Sequence, residues 1–219
     1  MLPKIVGRRH LAVIAAGYAG GLAAFPWLPG PYFGPGRSLV ARAAIAFLIP
    51  TAAVVTCSAI DILFGRTSSS ERYVESAKSI RSVLLLTVSF MVALHGLVLV
   101  SLLGFPTSRF AVQRLVVVLS GLLLIGVGNV LPRVRPNLVL GIHTRPLLAN
   151  RTAWARVHRV GGYFLVALGV SAVGAGLALS KAQIPLFLSA VLIIGAIVNL
   201  ATYWRWAHGR FDRPRTPAQ

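Results

Sequence analysis

Between residues 128 and 162 the chain reads GNVLPRVRPNLVLGIHTRPLLANRTAWARVHRVGG, with six arginines, two histidines and no acid. In this stretch Arg133, Arg135, His143 and Arg159 stand around Asn137 and Thr144. Guanidinium forks bind carboxylate or phosphate bidentately, so one reading is a recognition site for an anion or an anionic partner. The other is a basic loop resting on lipid head groups, placed there by the rules that set membrane topology. Composition alone does not separate the two.

The other chemistry-bearing residues are sparse. The acids number four: Asp61, Glu71, Glu75 and Asp212. None is paired within an apolar segment, which argues against the carboxylate clusters that hold Mg²⁺ in lipid- or isoprenoid-phosphate enzymes. The five histidines are scattered, without zinc spacing. The single cysteine, Cys57, lies in an apolar run with no histidine partner nearby in sequence and reads as a small buried apolar residue. The expectation is therefore a non-enzymatic protein without catalytic residues, metal or cofactor. His95 and Asp61 are the two polar candidates within apolar runs. They read either as a proton or ligand site, or as a histidine hydrogen-bonded across helices and an interfacial acid near Arg66.

The elements that must position these residues are membrane helices. The chain of 219 residues is 56% hydrophobic and only 12% charged, whereas a soluble domain carries about 25% charged residues. A spanning helix needs about 20 apolar residues. Runs of that length occur at 11–28, 41–64, 80–103, 112–130, 160–179 and 184–203, which predicts an all-α membrane protein with six transmembrane helices and both termini inside. The first run, which has signal-peptide character, is read as a retained helix. The proline- and glycine-rich PWLPGPYFGPGRS reads as an outer loop, GRTSSSERYVESAKS as a solvated loop, and the tail 208–219 as a frayed polar end. Gly17 and Gly21 form a small-xxx-small pair that hints at close helix packing.

Six spans also sort the basic residues. One side holds 17 lysines and arginines and the other 5, out of 22; the heavy side is cytoplasmic by the positive-inside rule. The net charge of +18 is thereby explained by topology and anionic lipid, and nucleic acid is not an expected partner. Tyr203, Trp204 and Trp206 beside Arg205 form an interfacial anchor. In the basic segment, Asn150 or Thr152 can start a helix in which Trp154 and Val157 share one face, as an interfacial helix lying on head groups would have them.

The segment resembles the signature of the SdpI family, the membrane immunity proteins of bacterial toxin systems. Gly128, Asn129, Pro132, Arg133, Asn137, Gly141, Ile142, Thr144, Trp154, His158 and Arg159 occur in the family's order and at similar spacing. There are departures: His143 stands where the family has Arg, and Arg145-Pro146 replaces Pro-Trp. The resemblance covers roughly 112–205, and divides the chain into an N-terminal membrane half (1–111), an SdpI-like half (112–207) and a tail (208–219). A fainter likeness in the N-terminal half involves Phe25, Leu28, Pro29, Gly34, Gly36 and Pro50. The resemblance implies a multi-pass protein of a bacterial plasma membrane that protects against a secreted antimicrobial peptide, with the peptide and a cytoplasmic repressor as candidate partners. It implies a ligand- or partner-binding role for Asn129, Pro132, Arg133, Asn137, Gly141, His143, Thr144, Arg145, Trp154, His158 and Arg159. The alternative is a small proton-coupled transporter using His95 and Asp61.

Overall fold

Lipid offers no hydrogen bonds, so each crossing segment must satisfy its own backbone, and the chain does so with helices. The structure is a computed structural model and describes residues 5–28, 37–67, 71–104, 108–180 and 182–207. The helices are α1 (Arg8–Ala24), α2 (Arg37–Thr67), α3 (Glu71–Leu102), α4 (Arg109–Val130), α5 (Arg145–Ala149), α6 (Arg151–Ala178) and α7 (Gln183–Ala207), with no strand among the described residues. Five of them, α1 to α4 and α6, are long and apolar enough to cross a membrane. In α7, Pro185–Val198 form a further apolar stretch among the described residues. The expected all-α membrane architecture is therefore found, with five helices long enough to span and a sixth apolar helix, α7.

Two boundaries differ from the sequence reading. In the polar stretch 65–79, read as a solvated loop, residues 65–67 close α2 and residues 71–79 already belong to α3. Ser76 and Ala77 are buried because α3 continues past the membrane beneath the basic segment, where the Ser76 hydroxyl donates to the Arg135 carbonyl (3.1 Å). Likewise, Trp154 and Val157 do not lie on a separate interfacial helix. Residues Arg151–Ala178 form one helix, with the Asn150 side chain accepting from the amides of Thr152 and Ala153 at 2.9 Å. Much of the loop 29–36 and the tail 208–219 lie outside the described residues, as do the side chains of Tyr203, Arg205 and Trp206.

Helices α1, α2 and α3 pack on one another, α3 adjoins α4, α4 lies along α6, and α7 touches α6. The α4–α6 contact is the most extensive. Its cause is glycine at seven-residue spacing on both helices: Gly128 faces Gly162 and Gly121 faces Gly169. A Cβ at Gly121 would sit 2.6 Å from the Gly169 carbonyl oxygen, and one at Gly128 2.7 Å from that of Gly162. Where lipid removes the hydrophobic drive between helices, such close approach gains the dispersion contacts that hold them together. The row ends at Gly176, where the Arg114 Nε donates to the Gly176 carbonyl (2.7 Å) and its NH2 to that of Leu177, neutralising the C-terminal carbonyls of α6. In the other half, Gly17 and Gly21 face Pro50 and Ala46 of α2.

The N-terminal segment, the α2–α3 junction and the basic segment meet at one end of the molecule. Asp61 near the end of α2 accepts from the amides of Ile5 and Val6, and His10 contacts the Arg81 carbonyl. Gly195 of α7 lies against Phe164 of α6 and Val198 lies near Val160, so α7 runs antiparallel to α6 and ends at the same side. The described arginine-rich segments thus share one end, the end that the positive-inside rule expects to face the cytoplasm.

Candidate functional site

The connection from α4 to α6 is an ordered knot. After the 3₁₀ turn Leu131–Arg133, Asn137 organises the chain. Its Oδ1 accepts from the amides of Val139 and Leu140 at 2.7 Å each, and its Nδ2 donates to the carbonyls of Arg135 (2.7 Å) and Leu140 (3.1 Å). A buried amide with both ends satisfied in this way fixes a turn that the local sequence would not hold alone. Gly141 follows with φ of +128°, a conformation open to glycine. A Cβ there would also strike the His158 ring and come 2.8 Å from the Trp154 ring.

Those two side chains, one turn apart on α6, form the floor. Trp154 is 1% exposed and stacks on His158 with ring centroids 3.9 Å apart. The Trp154 indole donates to the Val134 carbonyl (2.8 Å). His158 Nε2 accepts from the Ile142 amide (3.1 Å), so the proton resides on Nδ1, which donates to the Trp154 carbonyl (2.9 Å). Trp154 and Val157 do share a face, but it points into the protein, packed with Val134, Leu147 and Ala153 rather than onto head groups. The apolar residues of the segment are thereby accounted for. Leu147 fills this cluster, while Val139 and Leu140 pack on the core of α1, α2 and α3 formed by residues such as Ile5, Phe64 and Leu84.

Beside the knot, Arg133, Arg135, Arg151 and Arg159 line one pocket of about 350 Å³, with Val134 and Trp154 in its wall. Arg135 Nε lies 3.8 Å from a carboxylate oxygen of Glu75, both side chains being exposed. Among the described residues Arg133, Arg151 and Arg159 have no ion-pair partner. The expected grouping of Arg133, Arg135 and Arg159 is present, and Arg151 joins it. The pocket is a concave array of guanidinium groups suited to an anion.

The remaining expected residues lie elsewhere. His143 is exposed, its ring 6.4 Å from that of Trp154, and does not line the pocket. Thr144 has a buried hydroxyl without a hydrogen-bond partner among the described residues. Asn129 is exposed on the last turn of α4, and Pro132 packs over Gly162. The side chain of Arg145 lies outside the described residues.

Asp61 and His95 are not brought together. Asp61 fastens the N-terminal segment through two amides, a charge-assisted contact; the side chain of Arg66 lies outside the described residues. His95 faces the Ala46 carbonyl, and neither ring nitrogen has a hydrogen-bond partner among the described residues. From Ala46 to Asp61 along α2 is about 22 Å at 1.5 Å per residue. The histidine that does bridge helices is His10, whose Nδ1 accepts from the Gly7 amide (3.1 Å) while Nε2 donates to the Arg81 carbonyl (3.2 Å). Among the described residues no group of three or more histidines, cysteines or acids is placed to hold a metal.

Sequence reasoning missed Arg151, His10, Arg114, Ser76 and the glycine row. The glycines alone had a readable signal, the seven-residue period of 121 and 128 and of 162, 169 and 176.

The knot and the pocket fall in the part of the chain that has known kin. Residues 133–203 match the SdpI/YfhL protein family. The SdpI resemblance read from the sequence is thus found again over this segment. The match begins at Arg133, so α4 with Gly128 and Asn129, which the sequence reading included, lies before it. The matched segment comprises the knot from Arg133, α5, α6 and α7 as far as Tyr203. No curated protein and no solved structure matches the chain.

Proposed function

We propose that this chain is a non-enzymatic immunity or signal-receptor protein of the SdpI type, in the plasma membrane of a bacterium. It protects the cell from a secreted antimicrobial peptide that collapses the membrane potential. The SdpI/YfhL match over residues 133–203 carries this reading. Two contacts support a route by which binding in the bilayer would reach the cytoplasmic end. Val139 and Leu140 of the knot pack on the core of α1, α2 and α3, and the Ser76 hydroxyl of α3 holds the Arg135 carbonyl. An apolar peptide engaging those helices would press on these contacts and shift the knot, to which a cytoplasmic regulator responds. The transporter alternative gains no support, because Asp61 and His95 lie apart and Asp61 is engaged by backbone amides.

The test is protection. The chain is expressed in a bacterium sensitive to the peptide toxin of an SdpI-type system, and membrane potential is followed with a dye after challenge. Wild type is compared with Asn137→Ala, Trp154→Ala and Arg133→Ala at matched membrane levels. Wild type is expected to hold the potential, and the knot variants to lose it. If the wild-type chain protects against none of a panel of such peptides, the immunity reading fails.

A further inference from the structure

The pocket between the end of α4 and the start of α6 has a chemistry that the immunity reading leaves unspecified. Its four arginines come from three places in the chain: Arg133 from the 3₁₀ turn, Arg135 from the knot, and Arg151 and Arg159 from α6. The glycine packing of α4 on α6 brings these places together, and the indole bond from Trp154 to the Val134 carbonyl holds the wall between Arg133 and Arg135 in place. Arginine supplies every cation here; the segment 128–162 has no lysine. A flexible solvated surface needs only charge, for which lysine serves as well, whereas planar forks match the oxygens of a phosphate.

Charge and depth agree. The carboxylate that approaches the pocket among the described residues is Glu75, 3.8 Å from Arg135. That leaves a surplus of positive charge from four exposed arginines in one concavity. Helix α6 has 28 residues, about 42 Å at 1.5 Å per residue, against a hydrocarbon layer of about 30 Å. Its first two turns therefore stand in the head-group layer, with Arg159 near the hydrocarbon boundary and Arg151 about 12 Å further out. The N-terminus of α6, with its positive dipole end, adds to the same side.

We propose that Arg133, Arg135, Arg151 and Arg159 form a binding site for a phosphate group at the cytoplasmic surface. The phosphate comes either from an anionic phospholipid head group or from a soluble phosphate compound. The site holds independently of which peptide, if any, the protein resists.

The full chain is placed in nanodiscs of phosphatidylcholine with added phosphatidylglycerol, and bound anionic lipid is counted by native mass spectrometry. Separate arms titrate inorganic phosphate and glycerol 3-phosphate, and a further arm replaces phosphatidylglycerol by oleate at equal charge. Arg151→Gln and Arg159→Gln are each expected to weaken phosphate binding about tenfold, as loss of a charge-assisted fork does. Arg8→Gln, at the basic surface near α1, is expected to leave it unchanged. Glu75→Gln removes the competing carboxylate and is expected to tighten binding two- to threefold, roughly, a gain that damage to the fold would not produce. Competition by glycerol 3-phosphate assigns the site to a soluble source, and retention of phosphatidylglycerol alone assigns it to the head group; both support the site. Equal retention of oleate, or equal losses in Arg8→Gln and the pocket variants, overturns it.

Discussion

Asn137→Ala tests whether the basic segment is a built structure or a loop. The side chain is 2% exposed and makes four hydrogen bonds within the knot. Truncation orphans the amides of Val139 and Leu140 and removes a donor from the Leu140 carbonyl, while the Arg135 carbonyl keeps the Ser76 hydroxyl. An orphaned buried donor costs about 1–3 kcal/mol. Two of them give about 2–6 kcal/mol, and partial access of water to half-buried Val139 and Leu140 places the cost in the lower half of that range, about 3 kcal/mol. At about 1.4 kcal/mol per decade, local opening becomes about a hundredfold more frequent. Hydrogen exchange followed by mass spectrometry in nanodiscs reads this directly. Peptides covering 134–142 should exchange about a hundredfold faster, with α4 and the membrane part of α6 unchanged. Asn137→Asp should fare no better, since its second oxygen would face the carbonyls that Nδ2 now serves. The reasoning fails if exchange at Val139 and Leu140 changes less than about threefold, or if α4 and α6 lose protection equally, since Asn137 would then act on the whole fold.

Other outcomes follow from the same geometry. Gly169→Val forces α4 and α6 apart, because even a Cβ there would lie 2.5 Å from the Gly121 carbonyl oxygen; it should lower stability by about 1–3 kcal/mol in a detergent unfolding assay. Gly174→Ala, which meets nothing within 4 Å, should not lower it. Trp154→Phe keeps the stack on His158 and loses the bond to the Val134 carbonyl, so tryptic cleavage after Arg133 should accelerate by about tenfold. His95→Leu should stabilise the protein by about 1 kcal/mol or more, since neither buried ring nitrogen has a hydrogen-bond partner among the described residues; a lower thermal midpoint would refute this. Asp61→Ala should expose the amides of Ile5 and Val6 to exchange while leaving α6 protected.

The sequence by itself determined the all-helical membrane class, the apolar runs and the arginine-rich end. Each is a local or summed property. Hydropathy over about 20 residues measures transfer into lipid whatever the neighbours are, and loop charge sets orientation in the same way. The Asn150 cap was legible for the same reason, since a cap bonds within its own turn.

What the sequence left open depended on which face of each helix meets another helix. A membrane helix is apolar all round, so its inward face carries little signal. The glycine pairs Gly121–Gly169 and Gly128–Gly162 settle it for α4 and α6, and from that contact follow the inward turn of Trp154 and the meeting of Arg151 with Arg133, Arg135 and Arg159. The extension of α3 to Glu71 had the same cause: its polar sequence suited water, but a packed partner, the knot, covers Ser76 and Ala77. Asp61 and His95 were similar in kind on paper, two polar groups in apolar runs. Only the packed helices decided that one ties down the N-terminal segment while the other sits buried about 22 Å away along the bundle, because hydrogen bonds between distant segments exist only once the segments are side by side.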